Sequence, residues 1–185
     1  MYKDLDEQEL ARLCRNRDRL AEEELYTRYA ARLLTLCRRY IGDPDEANDV
    51  MQDSVIKTLD RISTFKYSGK GSLYAWLRKV TLNHILDVLR RKRLKFKPLD
   101  SNQGDDVPEP DGDGIESIPR EELMGIISRL PEMRRTIFNL YCIEGYSHKD
   151  IGRMLGISEK GSASALAKAR NQLKAAINEY LKTSG

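Results

Sequence analysis

An all-α protein of two small helical domains joined by an acidic strap is what the 185 residues predict, and three observations carry that prediction. Apolar residues recur at spacings of three and four along most of the chain, the signature of amphipathic helices. Start and stop signals divide this pattern into segments: Asp43-Pro44, Ser147 and Ser158 open helices, while Gly42, Gly145 and Gly156 close them. From Pro98 the pattern lapses into PLDSNQGDDVPEPDGDGIESIP, rich in Pro, Gly and Asp and poor in core formers, which reads as a linker. The expected domains are therefore 1–97 and 119–185, with the linker at 98–118.

Hydrophobic residues at 40% and charged residues at 33% describe a helix-rich folded protein rather than a disordered one. The net charge of +3 conceals a separation, because 99–118 holds seven acids and no bases, which leaves +10 on the remaining residues. No apolar run near the start suits a signal peptide and none later approaches a membrane span, so a cytoplasmic protein without membrane insertion is expected. Cys14, Cys37 and Cys142 sit on helical patterns without C-x-x-C spacing and read as unpaired thiols near cores. His84 and His148 are isolated from them, DGDGIE lacks the spacing of an EF-hand loop, and no nucleophile and base or phosphate-binding glycine loop stands out. Neither metal nor cofactor nor enzyme activity is expected.

In the first domain Leu10, Leu13 and Cys14 mark one helix and Leu25, Tyr29, Leu33, Leu36 and Tyr40 a second. A third, over 44–62, places Ala47, Met51, Val55, Thr58 and Ile62 on a core face and Asp45, Asp49, Gln52, Asp53, Ile56 and Asp60 on the reverse. An apolar residue ringed by acids fits a protein interface with a basic partner, and equally a solvated face with one stray isoleucine.

A loop follows at 63–71, STFKYSGKG. Its Lys66 and Lys70 could hold phosphate while Phe65 or Tyr67 receives an unstacked base; alternatively the aromatics pin the loop to the core. The helix beginning at Ser72, with that serine as its expected cap, runs into a basic tail. Leu77, Thr81, Ile85, Val88 and Leu89 share its core side, and Trp76, Lys79, Asn83, Asp87 and Arg90 share the other. Over 72–97 there are eight Lys or Arg against the single acid Asp87, a composition suited to a phosphate backbone, or to a core helix whose cations favour its negative end.

In the second domain helices are expected over 120–129, 131–143, 147–155 and 159–181. The last two, joined by Gly156-Ile157-Ser158, have the spacing of a helix-turn-helix, which plain helical hairpins imitate. Ile151, Leu155, Ile157, Leu166, Ala169 and Leu173 form its expected core, leaving Lys160, Ser164, Lys168 and Arg170 as candidates to meet DNA.

Taken in order, three motifs resemble the sigma-70 family of bacterial RNA polymerase sigma factors, in its extracytoplasmic-function (ECF) group: DPDEANDVMQDSVIKTL, GKGSLYAWLRKVTLNHILDVLRRKR and LPEMRRTIFNLYCIEGYSHKDIGRMLGISEKGSASALAKARNQL. The resemblance implies a transcription initiation factor that binds core RNA polymerase, at the clamp of the largest subunit and the flap region, and directs it to promoter DNA. By the same resemblance Asp49, Gln52 and Asp53 face polymerase, Arg78, Lys79, Asn83 and Asp87 read the minus-ten element, and the 63–71 loop captures a flipped base of the melted non-template strand. Ser164, Lys168 and Arg170 match minus-thirty-five contacts, with Tyr141 near the DNA backbone, and an anti-sigma partner is implied. The chain departs from the family at Ala163 and Ala165, where long polar residues are usual. Alanine can touch thymine methyls but cannot hydrogen-bond a base edge, so readout there leans on methyl contacts, DNA shape and phosphates. The rival readings are a stand-alone helix-turn-helix regulator and an adaptor whose basic helices contact acidic protein.

Overall fold

Short-range side-chain caps start most of the helices of this chain, and a computed structural model describes them over residues 2–95 and 118–184. Asp6 accepts the Glu9 N–H at 2.8 Å to open α1 (Glu7–Arg15), and Asp18 accepts the Ala21 N–H at 3.1 Å to open α2 (Arg19–Tyr40). Asp43 accepts the Glu46 N–H at 2.8 Å and Pro44 occupies the first position of α3 (Pro44–Arg61). A short 3-10 turn and a loop lead into α4 (Ser72–Lys95). The second set comprises α5 (Arg120–Ser128), α6 (Glu132–Phe138), α7 (His148–Leu155) and α8 (Glu159–Ser184). No strand occurs among the described residues, and the chain divides into two compact units, Met1–Lys92 and Arg93–Gly185.

In the first unit the apolar stripes predicted for α1 to α4 face a common core that includes Leu10, Leu25, Leu33, Leu36, Met51, Leu73, Leu77 and Ile85. Each such side chain contributes roughly 1.5–3 kcal/mol on leaving water. Val88 is only half-buried, at the edge of this core. Two helix ends differ from expectation. α2 stops at Tyr40 rather than at Gly42, because Ile41 takes an extended conformation with its side chain buried; Gly42 is not in the left-handed region.

The start of α4 is the larger correction. Ser72 does not cap it: the Ser72 hydroxyl accepts the Ser68 N–H at 3.3 Å, outside the helix. The N–H groups of Gly71 and Leu73 go instead to Oε2 of Glu7 in α1, at 2.8 and 3.1 Å. A carboxylate at the positive end of a helix gains from both the hydrogen bonds and the dipole, so a residue 64 positions upstream supplies the cap.

In the second unit Ser147 caps α7 by accepting the Asp150 N–H at 3.2 Å, and Gly156, at φ +65°, ends it. Ser158 accepts the Gly161 N–H at 2.9 Å to open α8. The helix expected over 131–143 is interrupted: after Phe138 the chain widens into a π-helical turn at 139–143, closed by the Glu144 N–H donating to the Asn139 carbonyl at 2.9 Å. That wide turn shifts the 3.6-residue register and leaves Cys142 exposed, contrary to its expected place near a core. Ile118, Ile126, Ile127, Leu130, Ala169, Leu173 and Ile177 form one buried cluster, and Ile151, Leu155 and Leu166 are buried in the helix-turn-helix, with Ile157 half-buried. Phe96, the basic Lys97 and the linker residues 98–117 lie outside the described residues.

Candidate protein and nucleic-acid interfaces

On α3 the reverse face stands clear of the core. Asp49, Gln52, Asp53 and Asp60 are exposed around Ile56, which is 59% exposed, while Ala47, Met51, Val55 and Thr58 are buried behind them. An exposed β-branched residue gains nothing from folding, and a rim of carboxylates around it favours a basic surface with an apolar pocket. Directly beneath this face Lys57 donates to Nδ1 of His84 at 2.6 Å, which leaves the imidazole proton on Nε2, 3.9 Å from Asp53. Burial and then the Lys57 charge hold the His84 pKa below its ordinary value.

The 63–71 loop divides between its two aromatics. Phe65 is buried and packs on Trp76 with ring centroids 5.6 Å apart, whereas Tyr67 is 42% exposed. Phe65 therefore pins the loop, and Trp76, expected on the open face of α4, is half-buried against it. Lys66, Tyr67, Arg12 and Arg15 stand with Glu9 around an open cavity of about 490 Å³ that Phe65 also lines. Such a cavity is wide enough for a nucleobase and offers an aromatic face, cations and acceptors together. Lys70 is exposed at the loop's far end, between Gly69 (φ +117°) and Gly71 (φ +90°).

Along α4, Lys79, Asn83 and Arg90 are exposed and Arg78 and Asp87 are half-buried, so the face predicted from spacing exists with Trp76 at its inner margin. Arg90 is tied to Asp87 at 2.9 Å, and Lys92 is paired with Glu46 of α3, so two of the cations toward the helix end already have carboxylate partners.

In the second unit three elements meet in one stack. Tyr141 of the π turn lies 4.4 Å from His148 of α7, and the Arg170 guanidinium of α8 lies 5.9 Å from the Tyr141 ring. His148 is anchored in turn by its Nδ1 against the buried Ser162 hydroxyl at 3.0 Å. Lys160, Ser164 and Arg170 are exposed and Lys168 is half-buried. Of the two alanines that depart from the family pattern, Ala163 is exposed and Ala165 is half-buried, so only the first stands fully on the outer face.

Sequence reasoning missed the two side chains that hold the loop. Glu7 caps α4, and Arg15 donates from Nε to the Ile62 carbonyl at 3.2 Å and from Nη2 to the Phe65 carbonyl. Neither leaves a local signal, since both look like ordinary polar positions of an amphipathic helix. Among the described residues no helix is long and apolar enough to cross a membrane.

Comparison with known proteins finds family resemblance over both units. The family model "Sigma-70 region 2" matches residues 25–95 and "Sigma-70, region 4" matches 120–173. "ECF RNA polymerase sigma factor SigM" of Mycobacterium tuberculosis is 31% identical over 168 residues, which covers 90% of this chain and 81% of that protein. "RNA polymerase sigma-H factor" of Pseudomonas aeruginosa is 26% identical over 191 residues, covering 95% and 96%. The chain spans 60% of the length of another relative, "ECF RNA polymerase sigma factor SigE" of Mycolicibacterium smegmatis, at 29% identity over 82% of this chain. Among solved structures it is similar to the sigma factor RpoE of Bartonella quintana, determined with the anti-sigma factor NepR, at 17% identity, with 84% and 96% of the chains covered and a TM-score of 0.49. With regions 2 and 4 in order and the 31% identical SigM relative covered over 81% of its length, the chain belongs to the sigma-70 family of transcription initiation factors, in its ECF group.

Proposed function

We propose a division of labour between the two domains of this sigma factor. Residues 1–97 bind the core RNA polymerase clamp through Asp49, Gln52, Asp53 and Ile56 on α3. The same domain reads and melts the minus-ten element with Trp76, Arg78, Lys79, Asn83, Asp87 and Arg90 on α4 and with Lys66, Tyr67 and Lys70 in the loop. Residues 119–185 read the minus-thirty-five element through Tyr141, Lys160, Ser164, Lys168 and Arg170. The observation that carries this reading is the bare, acid-rimmed Ile56 on α3, on the helix that precedes a loop with an exposed tyrosine and flanking lysines. Lysines and arginines near DNA displace counterions, so promoter affinity falls steeply with salt. Melting is favoured when a base that leaves the stack finds the aromatic, hydrogen-bonding cavity beside Tyr67. The protein makes and breaks no bonds itself; polymerase supplies the catalysis in the cytoplasm, and on family resemblance an anti-sigma protein holds the factor inactive.

The test is transcription from a promoter library by bacterial core polymerase, with and without this protein. Defined start sites that appear only with the protein support the reading. The double variant Asp49→Lys/Asp53→Lys should lose polymerase binding with an unchanged melting temperature. Retained binding would remove α3 as the docking face.

A further inference from the structure

Helix α1 carries two opposite charges that grip the two ends of the loop below α4. Near its start Glu7 takes the N–H groups of Gly71 and Leu73 on Oε2, and its other oxygen accepts the Tyr29 hydroxyl at 3.2 Å. At its last residue Arg15 donates to the carbonyls of Ile62 and Phe65. The two side chains stem from points about 12 Å apart on one rigid helix. They bracket residues 62–73, which contain Lys66, Tyr67 and Lys70. Each charge also suits the helix end it meets: the guanidinium lies at the negative end where α3 runs out, and the carboxylate lies at the positive end where α4 begins. Inside the bracket Gly69 and Gly71 have positive φ, so the intervening backbone has access to conformations that other residues rarely adopt, and an unheld loop would sample many of them.

The geometry points to Glu7 and Arg15 as positioning residues that preset the loop in the one shape whose cavity accepts an unstacked promoter base. This inference rests on the base-capture reading of the loop given above. Preorganisation of this kind sharpens discrimination, because a loop that must be ordered by its ligand loses binding energy for right and wrong bases alike and can reshape around either. Arg15 also lines the cavity, so a contact of its own with the base is open to it. Glu7 is not among the cavity-lining residues, which makes it the cleaner probe.

The experiment uses full-length protein assembled with core polymerase on fork-junction DNA carrying the promoter selected from the library. The four bases are placed in turn at each unpaired non-template position. The readout is the ratio of affinities for the preferred and least favoured base. Glu7→Ala should lower that ratio about tenfold, as expected for a site whose geometry is no longer held. Glu7→Gln, which keeps an acceptor oxygen, should retain most of it, and core polymerase affinity should stay the same in both. Tyr67→Ala serves as the reference loss of the cavity itself. If Tyr67→Ala lowers the ratio and Glu7→Ala does not, the positioning role is refuted while base capture stands. If neither changes it, base capture and positioning fall together. Should Glu7→Ala not fold, Arg15→Lys carries the test, because an ammonium cannot reproduce the fork that spans both carbonyls. An unchanged ratio in Arg15→Lys then refutes the inference.

Discussion

Gly152 offers a sharp test of how the helix-turn-helix is held together. It lies in α7, where alanine would ordinarily be the better helix former by about 1 kcal/mol. Here a Cβ would stand 2.8 Å from the Ile157 carbonyl oxygen, 3.5 Å from the Glu159 nitrogen and 3.6 Å from the Ser158 carbonyl carbon. All three are backbone atoms of the turn into α8, and none can rotate away as a side chain would. The turn is also tied to this glycine, since the Ile157 N–H donates to the Gly152 carbonyl at 3.0 Å. Overpacking against an unyielding neighbour costs up to about 3 kcal/mol. After the propensity gain, Gly152→Ala should lose about 2 kcal/mol. For a unit of this size that lowers the midpoint by roughly 8–16 °C. Gly125 in α5 is the matched control: nothing lies within 4 Å of its Cβ position, so Gly125→Ala should gain up to about 1 kcal/mol. The assay is thermal unfolding followed by circular dichroism together with tryptophan fluorescence. The single tryptophan, Trp76, belongs to the first unit and should not register either change. A Gly152→Ala protein that melts at or above the wild-type temperature, or a Gly125→Ala protein that loses as much, would refute the close-approach reasoning.

Three further outcomes are expected. The His84 pKa is lowered from 6.5 by burial first and then by Lys57 and Arg91, against the opposing pull of Asp53 and Asp87. The unfolded chain therefore binds the proton more readily than the folded one, so stability present above about pH 6.5 is lost progressively as pH falls from there through the lower folded-state pKa. The Trp76-reported midpoint should drop on acidification in the wild type, and His84→Gln should flatten the slope; equal slopes would dismiss the imidazole as the cause. Burial pushes the Cys14 thiol up to about 11 and Cys37 to about 12, while Cys142 is exposed. At pH 8 the Cys14 thiolate is then about a thousandth of the total, so iodoacetamide should label Cys142 alone in the native chain, as peptide mapping would reveal. Asn83→Ala, on the exposed face of α4, should reduce promoter opening several-fold more than polymerase affinity, and equal losses in permanganate footprinting and in binding would argue against a DNA role for that face.

The boundaries and faces of most helices were legible in the sequence because they depend on residues within one turn of each other. Asp43-Pro44, Ser147, Gly156 and Ser158 act through hydrogen bonds and dihedrals spanning three or four positions, and the core stripes of α3 and α4 follow from helical period alone. The acidic rim of Ile56 and the outward Lys79 and Asn83 could be placed for the same reason. Register arguments stopped at the π turn, where one extra residue per turn put Cys142 outside. What only the tertiary structure decided is which remote group answers a local need. The first N–H groups of α4 require an acceptor, and Ser72 beside them looked sufficient. The packing of α1 across the loop delivered Glu7 instead. The same packing buried Phe65 against Trp76 and left Tyr67 outside, a choice between two aromatics that no periodicity could make. It also brought the turn carbonyl of Ile157 onto Gly152. Helical period and capping are encoded by neighbours in the chain, whereas the partner of a helix end, a loop carbonyl or a glycine is set by how whole helices cross, and that depends on the entire core at once.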